Sequence, residues 1–328
     1  MKIFVTRKIP GDSLEKLKTG GNEVVISDVD RPLTGEELVE KVKGVDGLLC
    51  LLTDRIDGDL MDAAGPQLKI ISNYAVGFDN IDVKAATDRQ IPVCNTPSDE
   101  VNEAVAEHTW ALILALARRI VEADESIRRT GYKGWEPSVF LGNNLVGKTL
   151  GIVGLGRIGG MVARRAKGYN MTVLYNKHEP DPEVEKELGL QFAILDDLLA
   201  KSDFVSLHVP LTDKTRHMMN RETLAKMKKG AYLVNTARGP VVEEGALVEA
   251  LRSGQLAGAG LDVFDNEPNI SPELITMQNC VLTPHIASAT YEARNKMGEM
   301  AVSAILDTFS DKKPQNLVNE EVWPARRK

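Results

Sequence analysis

The chain has 328 residues, 43% of them hydrophobic and 27% charged, with a formal net charge of −7. At roughly 150 residues per domain, that length predicts two domains with cores of ordinary size, and an acidic balance spread along the chain speaks against a nucleic-acid surface. Cys50, Cys94 and Cys280 lie in apolar runs without metal-like spacing, which predicts buried thiols in a reducing compartment and no metal site.

The chain starts directly on a strand-like KIFVT, predicting no signal peptide and a cytoplasmic location. Short β-branched runs then alternate with helical patterns, as in βαβ units on a parallel sheet. The front series of strands is expected at 3–6, 24–27, 47–53, 69–72 and 92–95, with Leu38, Val39 and Val42 on one helical face. A longer helix is expected from about Asp99 to Ile120, capped by Ser98, with Asp99 and Glu100 at the positive end of its dipole. It is apolar nearly all round, so it is expected to be buried between domains or subunits. Its apolar stretch, Trp110 to Ala117, is too short to span a bilayer. Residues 129–144 break the pattern. A second series follows at 149–153, 172–175, 204–209, 231–235, 259–263 and 281–283, then a helix over about 291–309. From Lys312 the chain reads as a loop, with Arg326-Arg327-Lys328 a solvated tail. These elements predict two Rossmann-like, doubly wound α/β domains with a cleft between them. The last helix is expected to return to the first series, so that residues 1–98 plus 287–328 form a discontinuous first domain and 99–286 the second.

Gly154-Leu155-Gly156-Arg157-Ile158-Gly159 is a G-x-G-x-x-G between a strand-like run and a helix pattern. In that context the first glycine permits a tight turn, the second lets the backbone approach a pyrophosphate, and the third lets helix and strand pack closely. Helix-start N–H groups then face the phosphates. The fingerprint calls for an acid at the end of the next strand to bind the ribose hydroxyls. Asn176, Lys177 and His178 stand there instead. An amide beside a lysine tolerates a 2′-phosphate that a carboxylate repels, which points to NADP(H), with NAD(H) as the alternative.

Three charged residues follow late strand-like runs: Arg238 after AYLVNTA, Glu267 in GAGLDVFDNEP and His285 after CVLTP. Ligands of open parallel sheets bind beyond the carboxyl ends of the strands. With a nicotinamide cofactor, hydride transfer is the reaction to consider. An arginine fork holds a carboxylate through two parallel hydrogen bonds. A histidine delivers a proton near neutral pH, and a neighbouring carboxylate favours its charged form. His108, His178, His208 and His217 are read as structural.

On these motifs the chain resembles the D-2-hydroxyacid dehydrogenases over nearly its whole length. MKKGAYLVNTARG (227–239) is similar to the family's arginine motif, GAGLDVFDNEP (258–268) to its glutamate motif and TPHIA (283–287) to its histidine motif. The resemblance implies Arg238 as substrate anchor and electrophile, Glu267 as partner of the imidazole and His285 as acid/base, with substrate taken by the first domain (1–98 plus 287–328) and the dinucleotide by the second (99–286). It places Asp262 at the nicotinamide carboxamide and further cofactor contacts at Val209, Pro210, Thr215, Thr236, Ala237 and Ala287. NYAVGFDNID (73–82) resembles a loop whose backbone amides hold the substrate carboxylate, which points to Val76 and Gly77, with Leu52 shaping the pocket. It also implies homodimers formed through the cofactor domain, with no nucleic-acid or membrane partner. Within the family, LLTDRID (51–57) and the 135–142 loop look like glyoxylate/hydroxypyruvate reductases, with Trp135 reaching towards a partner's active site or packed in its own loop. The activity implied is reduction of small 2-oxo acids to 2-hydroxy acids. Alternatives are a nucleotide-sensing corepressor of the same fold and a dehydrogenase for a larger substrate such as phosphoglycerate. Glu267 argues against a formate dehydrogenase.

Overall fold

The computed structural model describes residues 1–19 and 21–328. By its internal contacts the chain divides into two units, Met1–Val101 with Ala289–Lys328, and Asn102–Ser288. The sequence put these boundaries at 98/99 and 286/287.

In the first unit, β1 (Lys2–Val5), β2 (Glu23–Ile26), β3 (Gly47–Leu51), β4 (Ile70–Tyr74) and β5 (Val93–Cys94) form a parallel sheet in the order β2-β1-β3-β4-β5. β3 and β4 are buried almost throughout, as parallel strands covered on both faces must be. The closing helix, Tyr291–Phe309, packs back on this sheet, and Ser72 Oγ on β4 donates to its Ala301 carbonyl (2.9 Å). Cys50 and Cys94 are buried free thiols, while Cys280 in the second unit is only partly covered.

The end of the chain departs from expectation. Residues Glu320–Ala325 form a 3-10 helix, and the basic end is docked rather than solvated. The Arg326 guanidinium lies 3.6 Å from the Trp323 ring centroid and pairs with Asp311, and Arg327 donates to the carbonyls of Arg89 (2.8 Å) and Gly65 (2.9 Å). Just before them, buried Asn319 accepts from Val93 N–H (2.8 Å) and donates to Ile91 O (3.0 Å), tying the segment to the edge strand β5.

In the second unit, β6 (Thr149–Val153), β7 (Thr172–Asn176), β8 (Gln191–Phe192), β9 (Phe204–Leu207), β10 (Ala231–Asn235), β11 (Leu256–Leu261) and β12 (Cys280–Leu282) are all parallel, in the order β12-β11-β10-β9-β6-β7-β8. The chain runs outward from β6 to β8, then returns to lay β9 on the other side of β6. The carboxyl ends of β6 and β9 therefore flank the switch point where such sheets bind ligands. Two-residue β8 is an edge strand that the sequence did not announce. The helix Asp99–Arg118 starts as expected, with Val101 N–H on Ser98 Oγ (3.3 Å). Its apolar sides are buried, and Trp110 Nε1 donates to Val162 O (3.1 Å). Instead of ending in a loop, it breaks at Arg119, whose φ is 52°, and resumes as Ile120–Thr130. That second helix buries none of its residues. Among the described residues, no helix is long and apolar enough to cross a membrane.

Candidate active site

β6 leads straight into the glycine turn. Gly154 has φ +98°, and a Cβ there would lie 2.7 Å from the His208 carbonyl oxygen. A Cβ on Gly159 would lie 2.2 Å from the Gly154 oxygen. Both positions need glycine because backbone comes that close. Gly156 differs, since a Cβ there would meet nothing within 4 Å. The fold does not require that glycine, so the open space is room for a ligand. Gly156 is also the N-cap of the helix Arg157–Ala166, and no side chain caps it. Its first N–H groups and the positive end of its dipole are available to an anion. Leu155 is buried beneath the turn. These features fit the pyrophosphate of a dinucleotide.

Asn176 ends β7. Its carbonyl accepts from Gly154 N–H (3.0 Å), and its side-chain amide donates to Ala193 O (3.0 Å). The amide thus ties β7 to the segment after β8, leaving Lys177 and exposed His178 as the groups facing solvent beyond this strand. Lys177 Nζ lies 3.0 Å from Asp181 Oδ2, and this hydrogen bond, with one from Val184 N–H, holds the Asp181 carboxyl below the usual range. After β9 come His208, Val209 and Pro210. Thr215 Oγ1 donates to the Pro210 carbonyl (2.6 Å), closing the 210–215 turn. His208 bonds Ser206 Oγ (2.8 Å), and desolvation pushes its pKa down to about 4, so it is neutral.

The arginine turn follows β10. Buried Asn235 clamps it, accepting from Ala237 N–H (3.0 Å) and donating to Arg238 O (2.9 Å). Thr236 is turned inward, bonded to Thr109 Oγ1 on the long helix (2.9 Å). Gly239 permits a close approach, since a Cβ there would lie 1.7 Å from the Phe264 carbonyl oxygen. The arginine turn is therefore packed, backbone on backbone, against the loop that carries the glutamate.

Glu267 uses both oxygens. Oε1 accepts from Phe264 N–H (3.0 Å), and Oε2 lies 2.9 Å from His285 Nδ1. A carboxylate accepts only, so Nδ1 carries the proton and Nε2 is the nitrogen left to meet a substrate. His285 has φ 54°, a left-handed conformation rare outside glycine. Its N–H donates to the Asp262 carbonyl (2.8 Å), which holds that conformation in place.

Asp262 itself is fully buried. Its carboxylate accepts from Thr283 Oγ1 (2.6 Å), Ile286 N–H (2.8 Å) and Ala287 N–H (2.8 Å), with His108 Nε2 at 3.5 Å. Burial alone would raise its pKa; the hydrogen bonds from His108, Thr283 and the backbone outweigh that and hold it low. The structure thus gives Asp262 the task of tying the histidine turn together. Ala287 N–H is likewise committed to this tie. Four residues that sequence reasoning left without a part in the site belong to the same scaffold: Asn235, His108, and the pair His217–Asp265 (3.3 Å) in the glutamate loop. His108 and His217 are structural, as expected, but their partners lie next to the site.

In the first unit, half-buried Leu52 sits in the turn after β3, and Val76 and Gly77 follow β4. Among the described residues, neither Val76 N–H nor Gly77 N–H donates a hydrogen bond.

The D-isomer specific 2-hydroxyacid dehydrogenase, NAD binding domain, matches residues 110–287. A glyoxylate reductase of Thermococcus onnurineus is 49% identical over 330 aligned positions, covering 99% of this chain and 98% of the relative. A solved structure of a Thermus thermophilus protein is 45% identical with a TM-score of 0.91, covering 97% of this chain and 100% of that one. An NADPH-dependent glyoxylate/hydroxypyruvate reductase of Sinorhizobium meliloti, solved with NADP and malonate, is 33% identical with a TM-score of 0.83, covering 100% of this chain and 98% of that one.

Proposed function

The chain belongs to the D-isomer specific 2-hydroxyacid dehydrogenases and is an NAD(P)-dependent oxidoreductase; we propose that it reduces glyoxylate and hydroxypyruvate, with His285 as proton donor. The observation that carries the reading is the Glu267–His285 contact of 2.9 Å, which engages Nδ1 and leaves Nε2 as the nitrogen to exchange a proton with substrate. A bound nicotinamide nucleotide supplies the hydride. Arg238 holds the substrate carboxylate and polarises the ketone, and His285 in its doubly protonated form gives the Nε2 proton to the new alkoxide oxygen while its Nδ1–H stays hydrogen-bonded to Glu267. Leu52 borders the substrate, and the N–H groups of Val76 and Gly77 take the carboxylate. The nucleotide lies along 154–159, with Val209, Pro210, Thr215 and Ala237 lining it.

We assign NADP(H) as the preferred coenzyme. No acid follows β7 until Glu179, and Lys177 and His178 are the groups near a 2′-phosphate. The related Sinorhizobium meliloti enzyme is NADPH-dependent. We also propose a homodimer. The helix Ile120–Thr130 buries none of its residues, and Ile120, Val121 and Ile127 on it, with Trp135 beyond it at 81% exposure, are exposed apolar side chains that a second copy would cover. Sedimentation should give twice the 35.9 kDa chain mass; a monomer at micromolar concentration would refute it.

The direct test is purified protein with NADPH and glyoxylate or hydroxypyruvate, followed by loss of nicotinamide absorbance. No turnover with either acid would overturn the reductase reading in favour of a nucleotide-sensing binding protein.

A further inference from the structure

Two loops of the first unit, 51–55 after β3 and 75–80 after β4, are locked together by side-chain amides. Asn73 and Asn80 form a reciprocal pair: Asn73 Nδ2 donates to Asn80 Oδ1 (3.0 Å), and Asn80 Nδ2 lies 3.3 Å from Asn73 Oδ1. Asn80 Nδ2 also donates across to the other loop, to Leu51 O (3.1 Å) and Asp54 O (3.0 Å). Asn73 Nδ2 reaches Gly77 O (2.9 Å), and Asn95 Nδ2 reaches Val76 O (2.7 Å). Asp54, buried, braces the first loop by accepting from Leu51 N–H (2.8 Å) and Thr6 Oγ1. The carbonyls of Val76 and Gly77 are thus both held from behind by amides, while their N–H groups make no hydrogen bond among the described residues. Successive unpaired N–H groups on a turn with fixed carbonyls form a concavity suited to a carboxylate.

We propose that Asn80, with Asn73, is a positioning residue for substrate: the pair fixes the bearing of the Val76 and Gly77 N–H groups and binds Leu52 into the same rigid piece, so that a small 2-oxo monocarboxylate is recognised by a preset turn. This rests on the reductase reading above. The amide is needed for a chemical reason. It must donate to two carbonyls and accept from Asn73 at once, which neither alanine nor an ionised aspartate does. Removing it leaves the Asp54 carbonyl without a donor, takes one of two donors from Leu51 O and deprives Asn73 Nδ2 of an acceptor, which unties the two loops, and small misplacements of binding groups are costly.

The test is steady-state kinetics of Asn80→Ala and Asn80→Asp with glyoxylate and NADPH, alongside nucleotide Kd by fluorescence. The expected result is a rise in glyoxylate KM of about tenfold or more, with a smaller fall in kcat and unchanged nucleotide Kd. A merely structural loss would lower the active fraction, hence kcat, at unchanged KM. Asn95→Ala, which releases only the Val76 carbonyl, serves if the Asn80 variants do not fold, and it should raise KM in the same sense. Glyoxylate KM within about twofold of wild type in the variants that fold, or a parallel shift in nucleotide Kd, overturns the proposal. If the wild type turns over normally and the variants match it, this inference fails alone; if the wild type does not turn over, the reductase reading fails and takes this one with it.

Discussion

Glu267 touches no reacting atom in the proposed chemistry, so its importance must pass entirely through His285, and that can be tested quantitatively. In Glu267→Gln one oxygen must serve two donors, Phe264 N–H and His285 Nδ1–H, which now occupy separate oxygens at 3.0 and 2.9 Å. If the remaining oxygen keeps Phe264, the new NH₂ faces Nδ1, and the ring can accept it only with Nδ1 unprotonated, as the Nε2–H tautomer. The charge-assisted contact is then replaced by a neutral one. Hydrogen bonds to charged groups contribute about 1.5–3 kcal/mol, against about 0.5–1.5 for neutral ones, and both side chains are partly exposed, which keeps the difference near 1–2 kcal/mol. At about 1.4 kcal/mol per factor of ten, kcat/KM should fall by roughly 5- to 30-fold. His285→Ala should cost about 10²–10⁴-fold in kcat. The decisive assay is the double variant. If Glu267 acts only through the imidazole, Glu267→Gln added to His285→Ala should change kcat/KM by no more than about twofold. A full 5- to 30-fold further loss would refute the reasoning and give Glu267 a role of its own.

The remaining predictions concern the anchor, the coenzyme and acid stability. Arg238→Lys keeps the charge but loses the fork, so both KM and kcat for glyoxylate should worsen by at least about tenfold; unchanged affinity would move the anchor elsewhere. Gly156→Ala should cost no more than about 1 kcal/mol of unfolding free energy, an N-cap effect alone because its Cβ meets no protein atom, yet weaken nucleotide binding; Gly159→Ala should destabilise the fold by more, and equal melting curves for the two would contradict the glycine assignments. Lys177→Ala should raise KM for NADPH and leave that for NADH alone, an effect on both coenzymes alike counting against the 2′-phosphate role. His208 has a folded pKa of about 4 against an ordinary 6.5, so the unfolded chain takes up the proton first as pH falls and stability declines between those values. By that linkage about 2 kcal/mol should be lost from pH 7 to pH 5, and urea midpoints of His208→Gln should show that much less pH dependence than wild type; identical slopes would dismiss the residue as a source of acid lability.

What the sequence disclosed follows from what periodicity and short motifs encode. The parallel strands with β-branched runs, the glycine turn and the closing helix Tyr291–Phe309 were all legible, because each carries a repeating or positional signal. The strand β8 was not, since two residues have no period. The break at Arg119 was missed because the residues after it still look helical; only the left-handed backbone of that arginine ends the first helix. The docked tail was misread because charge was taken as solvation, whereas Arg326 lies on Trp323 and Arg327 bonds backbone carbonyls. Around the site, the chemically loud residues were visible and the holding residues were not. Asn235 works through backbone groups of its own turn, His108 through Asp262 far along the chain, and Asn80 through Leu51 and Asp54 on a different loop, and no spacing rule records any of these. Asp262 is a motif residue whose hydrogen bonds also hold the histidine turn, work that the motif alone does not announce.

The contact at Gly239 has a consequence for how this enzyme's range can change. Because the Phe264 backbone sits where a side chain would be, the arginine turn and the glutamate loop form one module that a single substitution cannot retune at one end only. Mutational drift in that module is expected to be silent or ruinous, with little between. New substrate preferences in descendants of this sequence should therefore accumulate at Leu52 and its neighbours, and a directed-evolution library is better spread over 51–55 than over 235–239.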